Sequence, residues 1–193
     1  MPEAGRVIAG TARGIRLEGA PSGTRPLSDR VKQALFASLD AEGVLVGDFL
    51  DLFAGIGAAG IEALSRGATS ATFVEHDARA SALIDANLKR TRLSAAKVVR
   101  ADVLLFLSAG SSRTEPPFVA SVVDPPYDEP LLTPTLELLG DAGRGWLVDG
   151  AVVVAKHFWR DAPAPRIGSL MLDRQRRFGE TMLSFYRQTM DET

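Results

Sequence analysis

The stretch from Asp51 to Gly60 reads DLFAGIGAAG, and it decides the fold. Ahead of it, Val44 to Phe53 is nearly all apolar, as expected of a strand buried on both faces. Behind it, the chain runs on through Leu64 in a pattern that predicts a helix. Gly55, Gly57 and Gly60 satisfy G-x-G-x-x-G, which lets a backbone turn tightly where a strand meets a helix and brings a nucleotide-like ligand close to it. Taken alone this motif is weak evidence, so the surrounding elements must carry the reading.

Outward from that turn the alternation continues. Strands are expected at Ala71–Glu75, Lys97–Arg100, Phe118–Val123 and Gly150–Lys156. Helices are expected at Ala78–Arg92, from Asp102 through Leu107, and at Leu131–Leu139. Buried strands alternating with helices indicate a parallel sheet covered on both faces. Two further strands, Ile167–Leu172 and Thr181–Arg187, are joined by the polar run Asp173–Gly179, so a closing hairpin should add an antiparallel strand. Toward the N-terminus, Arg6–Ala9 and Arg13–Glu18 read as a hairpin about Gly10-Thr11, followed by a Gly/Pro-rich loop, Gly19–Pro26. An amphipathic helix, Asp29–Leu39, follows, with Ser28 or Thr24 as its cap. These readings divide the chain into an N-terminal hairpin and helix extension, 1–40, and an α/β domain, 41–193.

The chain has 193 residues, 46% hydrophobic and 24% charged, with a net charge of -2. No run is long and apolar enough to span a membrane, and MPEAGRVIAG lacks a signal-peptide pattern, so a cytoplasmic protein is expected. With no cysteine and two histidines, thiolate or histidine metal sites and a cysteine nucleophile are not expected. Basic residues gather at both ends: Arg6, Arg13, Arg16, Arg25, Arg30 and Lys32, then Lys156, Arg160, Arg166, Arg174, Arg176, Arg177 and Arg187. Such asymmetry can focus an anionic partner on one face, although two solvated faces would look the same.

Three acids fall at consecutive strand ends. Glu75 follows the glycine turn by about 20 residues, the position of a ribose-binding acid in a dinucleotide site. Asp51, however, would sit poorly beside a pyrophosphate and suits a cationic group such as an ammonium. Asp102 heads the next helix, where its carboxylate can accept from an exocyclic adenine amine while the Val103 amide serves a ring nitrogen. An adenosine joined to an amino acid, without phosphate, fits all three acids, and S-adenosylmethionine is such a ligand. Each acid also has a plainer reading: Asp51 capping amides of the glycine turn, Glu75 solvated, Asp102 a simple N-cap. Phe53 and His76 border the same turns and join the expected cofactor-binding set, His76 as a surface loop residue and not a catalytic one.

Val123-Asp124-Pro125-Pro126-Tyr127 closes the fourth strand of the domain. Two prolines remove two donors and fix the chain's direction. A rigid corner of this kind can aim the Asp124 carboxylate and the Pro125 carbonyl at the N–H bonds of an exocyclic base amine. Acceptors so placed favour a pyramidal, nucleophilic nitrogen and stabilise the charge developing on it. Pro126 keeps the Pro125 carbonyl in place, and Tyr127 offers a face on which an extruded base can stack. Asp124, Pro125 and Tyr127 are therefore the expected catalytic residues.

With these motifs in place, the chain resembles the RsmD family, bacterial 16S ribosomal RNA guanine-N2 methyltransferases, over essentially its whole length. The resemblance lies in Arg6-Val7-Ile8-Ala9-Gly10 with Arg13-Gly14, Arg25-Pro26-Leu27-Ser28-Asp29-Arg30-Val31-Lys32, and Leu35-Phe36. It continues through Asp51–Gly55 with Gly57 and Gly60, Glu75, Asn87-Leu88, Asp124–Tyr127 and Phe178-Gly179-Glu180-Thr181. It implies a Rossmann-like class I methyltransferase fold, a seven-stranded, mostly parallel sheet with an antiparallel C-terminal strand behind the small hairpin and helix. It also implies S-adenosylmethionine as cofactor, no metal, a monomer, and methylation of guanine 966 within a partly assembled 30S particle. Arg13, Arg16, Arg25 and Arg30 would meet RNA, joined by Arg176 and Arg177 from the second basic cluster. Lys156-His157-Phe158 departs from the acidic strand end common in the family, and no role is expected there. Adenine-N6 or other DNA or RNA amino methyltransferases share the proline corner and remain the alternative. An NAD-dependent oxidoreductase and a non-enzymatic RNA-binding module leave the corner unexplained.

Overall fold

A computed structural model describes residues 3–19, 27–111, 117–127 and 129–189. Its elements in chain order begin with β1 (Glu3–Arg6), β2 (Arg16–Glu18), α1 (Asp29–Ala41), β3 (Asp48–Leu52), α2 (Ala58–Arg66) and β4 (Ser70–Glu75). They continue with α3 (Ala78–Thr91), β5 (Ala96–Arg100), α4 (Val103–Ser108), β6 (Phe118–Val123), α5 (Leu132–Leu139) and a 3-10 turn (Ala142–Arg144). The chain closes with β7 (Leu147–Phe158), β8 (Arg166–Ile167), β9 (Leu170–Phe178) and β10 (Thr181–Gln188).

Strands β3 to β10 form one eight-stranded sheet in the order β5-β4-β3-β6-β7-β10-β9-β8. Pairings from β5 across to β7 are parallel, and β10 enters antiparallel between β7 and β9. This is the expected Rossmann-like methyltransferase architecture, with β8 as a two-residue addition at the edge. Alternate residues feed two cores, because strand side chains point to opposite faces. Phe49, Phe73, Val122 and Val154 pack with Leu35, Phe36 and Ile61 of α1 and α2. Leu50, Leu52, Val74, Val123 and Val153 pack with Leu107 and Leu136 of α4 and α5 on the other face.

Chain order reverses between β3 and β6, which lie side by side with Leu52 opposite Val123. In open α/β sheets ligands bind outside the carboxyl ends of the strands at such a switch point. Asp51 and Asp124 therefore come from adjacent strand ends.

Several boundaries differ from expectation: β2 spans only Arg16–Glu18, β7 runs Leu147–Phe158, and the expected strand Ile167–Leu172 is divided by the Gly168-Ser169 turn into β8 and β9. The first hairpin strand is Glu3–Arg6 and not Arg6–Ala9, because the Ile8 and Ala9 amides donate to the carboxylate of Glu62 on α2, at 2.8 and 3.0 Å. Strand β3 starts at Asp48, since Val46 is 81% exposed in the preceding turn. The run Asp173–Phe178, read as a connection, continues β9, with Arg177 opposite Met182 and Phe178 opposite Thr181. A strand near the sheet edge needs only one buried face, so charged side chains do not stop it.

Glycine requirements show in the turn. Gly57 adopts φ 80° at the N-cap of α2, a left-handed conformation that favours glycine. Gly60 has no room for a side chain, since a Cβ would lie 2.3 Å from the Phe73 ring and push α2 off the sheet. Ser28 caps α1 through the Val31 amide, while Thr24 lies outside the described residues.

Candidate active site at the carboxyl ends of the strands

Both buried acids of the glycine turn hold backbone. Asp51 Oδ2 accepts from the Gly60 amide at 2.8 Å. Glu75 accepts from the Gly55 amide at 2.8 Å and the Asp77 amide at 2.9 Å. Asp102 caps α4, its Oδ1 accepting from Leu105 at 2.8 Å. The plainer cap readings of Asp51 and Asp102 thus describe real contacts, although a carboxylate so engaged keeps further lone pairs for a ligand. His76 is exposed, with Nδ1 3.3 Å from Glu75, and Val103 is buried at the start of α4. Phe53 has φ 59°, an uncommon value for a non-glycine residue, and it precedes the turn beside the switch point.

These groups fit an amino-acid nucleoside. Gly55 has φ 56°, and a Cβ built there would meet nothing within 4 Å, so the space before the turn is open. Asp51 is fully buried, and burial pushes its carboxyl up to about 8, with Asp124 and Glu75 adding repulsion and the Gly60 amide opposing it. Among the described residues no cation acts on Asp51 directly, and an incoming ammonium would supply one.

Asp124 stands at the tip of β6, followed by buried Pro125 and by Tyr127, which is 49% exposed. Its Oδ1 accepts from Lys156 Nζ at 2.5 Å, and the same ammonium lies 4.8 Å from the Tyr127 ring centroid. Burial raises the Asp124 carboxyl above its ordinary range against the pull of Lys156. For Lys156, burial acts downward, but Asp124 and Tyr127 outweigh it and hold the ammonium above its ordinary value. Tyr127 Oη also meets Thr181 Oγ1 at 3.3 Å, linking the corner to β10.

The sequence assigns no role to Lys156, yet the sheet puts it beside Asp124. Val123 pairs with Ala155 across β6 and β7, so the next residues on the two strands are neighbours. That signal is present in the sequence once the two strands are taken as adjacent and parallel. His157 points the other way: its ring nitrogens meet the Phe158 carbonyl and Ser184 Oγ, and burial keeps it below its ordinary value.

The expected RNA-contacting residues divide. Arg176 and Arg177 are exposed near the carboxyl-edge end of β9. Arg177 lies 3.9 Å and Arg160 4.9 Å from the Trp159 ring centroid. Arg16 and Arg30 are exposed on β2 and in the first turn of α1. Arg13 is exposed in the hairpin turn, where neighbouring Thr11 and Ala12 bond to Ser65 near the C-terminus of α2, remote from the glycine turn at its N-terminus. Arg25 lies outside the described residues.

Comparison with known proteins agrees with this geometry. A family model described as "Conserved hypothetical protein 95" matches residues 5–187. Ribosomal RNA small subunit methyltransferase D of Escherichia coli K12 is 40% identical over 149 residues, covering 77% of this chain and 72% of its own. The chain belongs to the RsmD family. The methyltransferase D of Haemophilus influenzae is 36% identical over 151 residues, covering 77% of this chain and 76% of its own. Among solved structures, a hypothetical protein of Thermus thermophilus superposes on this RsmD-family chain with TM-score 0.80 and 34% identity, over 93% of this chain and 97% of its own.

Proposed function

We propose that this chain transfers a methyl group from S-adenosylmethionine to the exocyclic N2 amine of a guanine, guanine 966, in 16S ribosomal RNA. The observation that carries the reading is the meeting of Asp51 and Asp124 at adjacent strand tips beside the open glycine turn. When bound, the cofactor supplies an electrophilic methyl group. Asp51 would face its ammonium, Glu75 its ribose hydroxyls, and Asp102 with the Val103 amide its adenine, while Phe53, Gly55, Gly57 and His76 border the pocket.

Asp124 and the Pro125 carbonyl then accept from the guanine amine and orient its lone pair, while Tyr127 stacks on the extruded base. RNA approaches along the carboxyl edge, where Arg176 and Arg177 join Arg160 and Trp159 in a basic, aromatic surface. Arg13, Arg16 and Arg30 of the N-terminal extension would meet phosphates, as would Arg25 outside the described residues. A partly assembled 30S particle is the substrate, and the protein acts as a monomer.

Mass mapping of ribosomal RNA from cells lacking the gene tests the assignment. The expected result is one methyl lost at a single 16S guanine and restored by purified protein with adenosylmethionine. A methyl lost from an adenine instead would favour the amino methyltransferases that share this corner, and unchanged RNA would overturn the reading.

A further inference from the structure

We propose that Lys156 is a positioning residue that keeps the Asp124 carboxylate ionised and aimed beside the Tyr127 ring, so that it can accept from the target amine. The inference rests on the methyl-transfer reading above.

Lys156 is a costly residue for its place. Its side chain is 11% exposed and that of Asp124 19%, at the ends of parallel strands whose preceding residues pair directly. Burying an ammonium and a carboxylate is expensive, and an apolar pair of similar volume would often serve stability as well or better. The ammonium is fixed from two sides, 2.5 Å from Asp124 Oδ1 and 4.8 Å from the Tyr127 ring centroid. It therefore ties the acceptor to the stacking face.

The surroundings of Asp124 make that tie consequential. Asp51 presents a second acid from β3, and Glu75 lies beyond it around the glycine turn. From its own loop comes Tyr127, and β10 contributes the neutral Thr181 hydroxyl that meets Tyr127. Lys156 is the cation bonded to Asp124 in this set. Without it, burial in a dry corner favours protonation. A protonated Asp124 would turn an O–H toward an amine whose own bonds are donors, and the contact would weaken. With the ion pair in place, Oδ1 is engaged and the second carboxylate oxygen can still accept.

The test needs no substrate in its first arm. Protein carrying 13C-labelled aspartate carboxyls is titrated by NMR as wild type, Lys156→Met and Lys156→Arg, with Asp124→Asn assigning the resonance. Loss of an adjacent cation should move the Asp124 midpoint up by about 1–3 pH units in Lys156→Met, and Lys156→Arg should restore most of it. In the second arm, the acid limb of the single-turnover methyl-transfer rate should shift the same way. The rate of Lys156→Met should then be low at neutral pH and recover as pH rises. An unchanged midpoint in folded Lys156→Met overturns the proposal, as does a rate lowered equally at every pH or a rate above wild type. Wild-type protein that transfers no methyl to the ribosomal substrate would instead overturn the function, with the NMR arm still reporting on the pair.

Discussion

Lys32 is buried and Lys156 partly so, and both face a carboxylate, yet their surroundings differ. Lys32 Nζ lies 3.9 Å from Glu62 and donates to the Arg6 carbonyl at 2.5 Å. Glu62 is fully buried and also accepts from Ile8, Ala9 and the Arg66 side chain, the last at 2.7 Å. That cluster straps the N-terminal segment to α2, and Val7, Ala12 and Leu17 join the same apolar core. Burial there lowers the Lys32 ammonium, with Glu62 only partly opposing it. At the strand tips the balance reverses: Lys156 is held above its ordinary value, while Asp124 and Asp51 are pushed up. A carboxylate ringed by donors serves folding, whereas Asp51, raised by burial and by the acids beside it, is set to meet a ligand's positive charge.

The largest expected effect breaks the strap. Glu62→Ala leaves two backbone amides and the Arg66 Nε without their acceptor and Lys32 without its ion-pair partner, and should destabilise the protein by about 3–5 kcal/mol in denaturant unfolding. A loss below about 1 kcal/mol would mean that the cluster contributes little to folding.

Asp124→Ala leaves Lys156 without its partner at a less buried position, so it should lower stability less than Glu62→Ala, while the single-turnover methyl-transfer rate of the folded protein falls by roughly 10²–10³. Asp124→Asn sharpens this, since an amide oxygen can accept but cannot take a proton. It should retain more activity than Asp124→Ala. Equal and severe loss in both would assign Asp124 as a general base instead.

A smaller effect is expected at Glu75. Folded Glu75→Ala should bind adenosylmethionine about 1.5–3 kcal/mol more weakly, the scale of a hydrogen bond to a charged group. Because Glu75 also holds the Gly55 amide, part of that loss comes through the turn. Unchanged affinity would remove Glu75 from the site.

Most of the sheet was legible from apolar runs and glycine turns, because strands buried on both faces leave little ambiguity. The β9 extension was not, since Asp173-Arg174-Gln175-Arg176-Arg177 carries the composition of a loop while obeying strand register near the edge. Asp124, Pro125 and Tyr127 could be proposed because two prolines are hard to explain otherwise. Lys156 and Glu62 could not, for opposite reasons. Lys156 acquires its partner through strand adjacency, and Glu62 acts on backbone amides of residues more than fifty positions away, which no local pattern encodes.

The central claim is that Asp51 waits at its strand tip for a positive charge, and its own proton tests that most directly. Its carboxyl, raised to about 8, stays protonated in the folded chain between about pH 4 and pH 8, where the unfolded chain has lost that proton. Stability of wild type relative to Asp51→Asn should therefore fall across that window and level off above it. Binding an ammonium beside Asp51 should draw the proton off. Calorimetric titration of adenosylmethionine at pH 6.5, in buffers of different ionisation enthalpy, should show proton release in wild type that is absent in Asp51→Asn. Equal proton release in both proteins, or no saturable heat in wild type, would contradict the account.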